Sequence, residues 1–247
     1  MASGAKYKST MGFRGTYRII NRAFGVFLAI CAIALTLEFL RFDKIEIDGI
    51  TYYHHGEKDA DMAALNQAVQ KLLMRSELYD GNLTARVILT DSFTEFTFFA
   101  PRTRMAFGVT YPGLGLSIIQ PASILDNITL RGQVGRSTRK LDGLVAHELV
   151  HVMIARHFGG KGRHIPRWKV EGYADIIAQD ASLPHAIGVK RLCGSIHQDG
   201  QMYQYFEYGQ MVGYLLNMGL SFGDIIAQDL DVDDLRQKIK KSLCAEN

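Results

Sequence analysis

Residues 141–158 read LDGLVAHELVHVMIARHF, and the organisation of the chain can be worked outward from them. Leu141, Leu144, Val145, Leu149, Val152 and Met153 recur at helical spacing and form one apolar stripe, the mark of a buried amphipathic helix. Within it stands His147-Glu148-Leu149-Val150-His151. Histidines four residues apart lie one turn apart on the same helix face, so both imidazoles can reach one tetrahedral zinc ion. On the helical wheel the two fall beside the stripe, where a cleft wall would be. Glu148 points in a neighbouring direction, toward a water on the metal.

An open zinc site needs a third protein ligand. Pro166-Arg167-Trp168-Lys169-Val170-Glu171-Gly172-Tyr173-Ala174-Asp175 supplies Glu171 as the candidate. It follows His151 by 20 residues, enough for a helix end, a loop and a second helix. Gly172 has no side chain and would let that helix approach the first closely. Asp175, one turn beyond Glu171, is placed to accept the outer N–H of a zinc-bound histidine and fix its tautomer.

The pair HELVH and WKVEGYAD resembles the gluzincin zinc metallopeptidases, the thermolysin-like superfamily, and is closest to its peptidase MA-like branch. The specific match covers about residues 141–178. The resemblance implies one Zn2+ per chain held by His147, His151 and Glu171, Glu148 as general base, and Asp175 as partner of a histidine ligand. It also implies an upstream sheet whose edge strand lines a cleft for a peptide or protein substrate. A tyrosine or histidine from the C-terminal helices would stabilise the oxyanion. Tyr208, Tyr205, Tyr203 and His197 are the candidates; Tyr208 is favoured because it precedes Gly209 in the helix expected over 203–216, although tyrosines at that spacing also serve as packing residues.

Upstream, residues 59–77 show helical periodicity through Met62, Leu65, Val69, Leu72 and Leu73. Leu83–Thr90 reads as a strand, Asp91 and Ser92 cap a short helix toward Phe99, and short strands are expected around 103–110, 114–120 and 127–131. From Thr138 the pattern is helical, apart from a Gly-rich break at 159–165. A mixed sheet followed by helices is the α+β class, here over residues 45–247. Leu116–Gln120, punctuated by Pro at both ends, is a candidate for the cleft-lining edge strand, with an interior position as the alternative.

At the other end, residues 1–22 hold Lys6, Lys8, Arg14, Arg18 and Arg22 and no acid, so the net charge of +3 belongs to this tail and residues 23–247 are net −2. Ala23–Leu37 is uncharged, and with Leu40 included the run spans about 27 Å as a helix, close to the bilayer core. Residues 23–40 therefore read as a signal-anchor transmembrane helix, with a cleaved secretory signal (Ala32-Ile33-Ala34) or a buried soluble helix as alternatives. The basic side stays cytoplasmic, which places the larger domain in the periplasm or outside the cell, and leaves it secreted if the signal is cleaved. In such a compartment Cys193 and Cys244 could pair.

The remaining features carry less. His54, His55 and His164 stand alone, and isolated histidines seldom ligate. Lys161, Arg163 and Arg167 form a basic cluster, either a solvated loop or a preference for acidic substrate groups. Arg86, Arg102 and Arg104 make no run with stacking aromatics, so no nucleic-acid partner is expected. Two other functions stay open beside a peptidase: a zinc-bound, non-hydrolytic scaffold on the membrane surface and a metal-free interaction domain. The intact Glu148 and the lack of a fourth His or Cys ligand weigh against the scaffold.

Overall fold

In the computed structural model, which describes residues 24–26, 40–103, 106–130, 138–179, 183–194 and 200–244, the chain divides into Met1–Asp43 and Lys44–Asn247. Residues 44–247 are α+β. Strands β1 (Asp43–Ile47) and β2 (Ile50–His54) lie side by side, joined by Asp48-Gly49 with both residues at positive φ. An Asp-Gly pair takes that conformation at little steric cost and suits a two-residue hairpin. A Cβ at Gly49 would also fall 2.6 Å from the Leu83 carbonyl oxygen. Helix α1 (Asp59–Leu73) follows and buries Met62, Leu65, Val69 and Leu73. It carries the chain over to β3 (Ala85–Leu89), which pairs parallel with β2.

A short helix α2 (Phe93–Phe99) begins where Ser92 Oγ accepts from the Glu95 amide at 3.2 Å, as its Ser cap led us to expect. Next come β4 (Gly108–Tyr111), a single 3-10 turn at Pro112–Leu114, and β5 (Leu116–Ile119). The strand order is β1-β2-β3-β5-β4, with β5 parallel to β3 and antiparallel to β4. Leu116–Ile119 is thus an interior strand, and the sheet edge is β4. The apolar content of β5 is what an interior position demands, since Ser117, Ile118 and Ile119 are all buried. Val87, Leu89 and Ile119 face the main core, while Ile88 and Ile118 alternate to the opposite face. A second, three-stranded antiparallel sheet is made of β6 (Ala122–Ser123), β7 (Ile128–Leu130) and β8 (Thr138–Lys140).

Helix α3 (Leu141–Phe158) starts directly from β8, anchored by the Asp142 amide donating to Asn127 Oδ1 at 2.9 Å. It lies against β3, β4 and β5 and packs on α1. Gly159 and a 3-10 segment, Gly159–His164, end it at the expected Gly-rich break. Helix α4 (Arg167–Ala178) then packs between α3 and α6, followed by α5 (His185–Leu192), α6 (Gln201–Asn217), α7 (Phe222–Ala227) and α8 (Val232–Cys244). The approach of α4 to α6 is close because of Gly172: a Cβ there would fall 2.7 Å from Val212 Cγ2 and nearer still to the Tyr208 carbonyl oxygen. Lys169, buried on α4, donates its Nζ to the Gln228 carbonyl at 2.7 Å and so ties α4 to the end of α7.

Cys193, which caps α5, and Cys244, the last residue of α8, form a disulfide. No described helix is long and apolar enough to cross a membrane. The anchor expected at 23–40 falls, but for 24–26 and Leu40, outside the described residues, as do the basic tail 1–22 and His197.

The disulfide closes a sequence separation of 51 residues, for which chain-entropy arguments give about 4 kcal/mol of stabilisation. The Cys193→Ser, Cys244→Ser double variant should therefore show a lower denaturation midpoint in urea, and an unchanged midpoint would show the staple to be thermodynamically silent.

Candidate metal centre

The ligating atoms of His147, His151 and Glu171 all lie within 4.8 Å of one another, the one such group among the described residues. Helix α3 delivers the two imidazoles, with ring centroids 4.9 Å apart and planes at 77°. Helix α4 delivers the carboxylate. Glu171 Oε2 is 3.4 Å from His147 Nε2 and 3.7 Å from His151 Nε2. Ligand atoms about 2.0–2.1 Å from a tetrahedral zinc stand about 3.4 Å from each other. The spacing and the two-nitrogen, one-oxygen donor set therefore fit a zinc-class cation. His54, His55 and His164 are not part of it; His55 instead pairs with Glu95 at 3.0 Å.

Behind the centre, Asp175 Oδ1 lies 2.9 Å from His147 Nδ1, on the side of the ring away from Glu171. The contact is close enough for an ion pair, though neither atom makes a well-aligned hydrogen bond. Arg139 Nη2 stands 3.6 Å from the same carboxylate oxygen. Both groups are buried, so each offsets part of the cost of taking the other out of water.

Burial opposes a charge on His147, but its contacts with Asp175 and Glu171 prevail and hold its pKa up at about 10 in the metal-free protein. Burial and the adjacent His147 push His151 below its ordinary value. Burial likewise works against the Glu171 carboxylate, yet the His147 contact and the charges of His151 and Arg167 bring it down to about 2. Of the three ligand side chains, without metal, His147 is thus the protonated imidazole and Glu171 the ionised carboxylate at neutral pH.

Glu148 is held by the edge strand. Thr110 Oγ1 is 2.6 Å from Glu148 Oε2, 3.0 Å from the Glu148 carbonyl oxygen and 2.9 Å from Ser117 Oγ. A hydroxyl has one proton to give, and a carboxylate is the strongest acceptor of the three, so Thr110 donates to Glu148 and accepts from Ser117. Gly108 lies against the same carboxylate: a Cβ there would sit 2.7 Å from Oε1. Neither Thr110 nor Gly108 was legible as a site residue. The signal was spatial, the cross-strand pairing of Thr110 with Ser117.

These groups open into a cleft of about 990 Å3 walled by β4, α3, α4 and the start of α6. Tyr205 lines it, whereas Tyr208 packs against the apolar core beside Gly172 and does not. Arg167 Nη2 donates to the Tyr205 hydroxyl at 2.6 Å. Burial and the Glu171 charge raise the Tyr205 phenol above its ordinary value, so it is a protonated donor at neutral pH. Tyr203 stacks under Arg191 instead, 4.3 Å from its guanidinium carbon. No model of a known protein family matches the chain, and no curated protein is significantly similar to it in sequence.

Because His147 is protonated in the metal-free protein, zinc uptake near pH 7.5 should release about one proton per ion and tighten about tenfold per pH unit below the His147 pKa. Calorimetric titration in two buffers of different ionisation heat measures this directly; zinc binding without proton release would contradict the assignment. Gly108→Ala should leave zinc stoichiometry at one while displacing the Glu148 carboxylate, visible in a crystal structure of the variant.

Proposed function

We propose that this chain is a zinc-dependent metallopeptidase that hydrolyses peptide bonds. The observation that carries the reading is the convergence of His147, His151 and Glu171 beside a separately held carboxylate, Glu148, in a cleft walled by the edge strand β4. When bound, the cation supplies Lewis acidity toward the scissile carbonyl and lowers the pKa of a coordinated water.

The chain's own groups do the rest. Glu148 takes the proton of the attacking water and passes it to the leaving amine nitrogen. Thr110 and Gly108 fix where that carboxylate sits. The Tyr205 oxygen accepts from Arg167, which leaves its own proton free to point into the cleft, and this makes Tyr205 the donor to the developing oxyanion. Strand β4 has β5 on one side and no strand neighbour on the other among the described residues, so an extended substrate backbone can add along it. Asp175 holds the Nδ1 side of His147, which leaves Nε2 directed at the metal.

The chain is further proposed to be a single-pass membrane protein anchored through residues 23–40, with residues 45–247 in the periplasm or outside the cell. The Cys193–Cys244 disulfide supports an oxidising compartment.

Glu148→Gln should bind zinc at full stoichiometry and lose hydrolysis of a mixed peptide library, while His151→Ala should lose the metal itself. Normal turnover by Glu148→Gln would sink the assignment. Tyr205→Phe should lower kcat by roughly 10²- to 10³-fold with little change in KM, the pattern for a donor used in the transition state; an equal loss in Tyr208→Phe and none in Tyr205→Phe would move the role to Tyr208.

A further inference from the structure

Among the described residues, the charges that line the cleft are mostly of one sign. Arg102, Arg139, Arg167 and Arg191 line it, and the only carboxylates among the described lining residues are Glu148 and Glu171. Both are committed, Glu171 to the metal centre and Glu148 to Thr110. Arg139 is balanced from behind by Asp175. Arg167 is engaged with Tyr205 and, at 3.5 Å, with Glu171 Oε1.

Arg102 and Arg191 are different. Neither has a carboxylate partner among the described residues. The one acid of α6, Glu207, is taken by Arg236 at 3.1 Å. Arg191 is also held in place, with its guanidinium over the Tyr203 ring and its Nη2 buried without a hydrogen-bond partner. A guanidinium stacked on an aromatic ring has lost much of its freedom in advance, and the part of Arg191 that lines the cleft offers N–H donors to a carboxylate. A divalent ion in the centre would add to the same sign of field, and low-dielectric walls would focus it.

We propose that the cleft selects peptides presenting a carboxylate near the bond to be cut, with Arg191 and Arg102 as its specificity-determining residues. The carboxylate comes either from an Asp or Glu side chain or from the substrate's own C-terminus. This rests on the peptidase reading for its substrate class, but the recognition is a binding property and can be measured without turnover.

The test uses the zinc-loaded, full-length Glu148→Gln protein and fluorescent peptide twins that differ only in Glu against Gln at positions flanking the centre, each made with a free C-terminal acid and with an amide. Anisotropy titration should give the acidic twin an affinity advantage of about tenfold or more, the range expected of a charge-assisted pair, shrinking as salt is raised. Adding Arg191→Gln should remove most of that advantage and Arg191→Gln with Arg102→Gln the rest, with zinc content and melting temperature unchanged. An advantage that follows the acid-to-amide change assigns the site to a chain end, and one that follows Glu-to-Gln assigns it to a side chain. Equal binding of all twins, or tighter binding of the Gln twin, overturns carboxylate selection. Acid-selective binding by a protein whose wild type cleaves none of these peptides leaves this inference standing and removes the peptidase reading beneath it.

Discussion

The constraint on which the rest depends is that one carboxylate, Glu171, must be brought from a second helix to within reach of two imidazoles on the first. Helix α3 fixes His147 and His151 by their spacing alone. Nothing local fixes Glu171, which depends on α4 being wedged between α3 and α6. That wedge is possible because residue 172 has no side chain: at the next position on the helix after Glu171, the backbone of α4 meets the backbone of α6. The lysine at 169 and the aromatic stack of Tyr173 on Phe222, with ring centroids 3.9 Å apart, hold α4 from its other sides. A ligand on a helix locked on several sides is more precisely placed than one on a loop.

The same wedge sets the electrostatics. It removes His147 and Asp175 from water together, a grouping that would be costly for either of them alone. The charges compensate in order along a line, Arg139 against Asp175, Asp175 against His147, and His147 against Glu171. Arg139 reaches this line because β8 runs straight into α3, which places a strand residue two positions before the helix beside the carboxylate that faces His147. The three-stranded sheet, which contributes little to the main core, has this positional consequence for the site.

The parts of the site that were legible in the sequence are those encoded in one-dimensional spacing. HELVH and EGYAD sit on single helices, so the period of 3.6 places His147, His151, Glu171 and Asp175 on their faces before any tertiary packing is known. The helices at 59–73 and 141–158 and the strand at 85–89 were legible for the same reason. What was not legible depends on which strands lie side by side. Residues 116–119 carry the punctuation of an edge strand, yet β4 closes over them, and only the pairing of β4 with β5 reveals that Thr110 and Gly108 reach Glu148. The β1–β2 hairpin was missed although Asp48-Gly49 is a recognised hairpin signal, because its strands alternate polar and apolar residues over only five positions each. The preference for Tyr208 rests on its place beside Gly209, and a helix pattern does not decide which of tyrosines 203, 205 and 208 faces the cleft, since that is set by the contact of α6 with α4.

Strand β4 has a further consequence for any extended ligand that docks there. Main-chain pairing at a sheet edge grips every sequence alike, because the peptide groups it reads are the same at each residue. Such an edge gives hold without discrimination. Choice among ligands then falls to the walls opposite, and the part of these that holds Leu183 and Arg191 is fastened to the C-terminal helix by a covalent cross-link at Cys193. For such a ligand, grip and choice would be housed in different parts of the molecule, on a sheet and on a stapled helical wall, so that one could be altered while the other is kept.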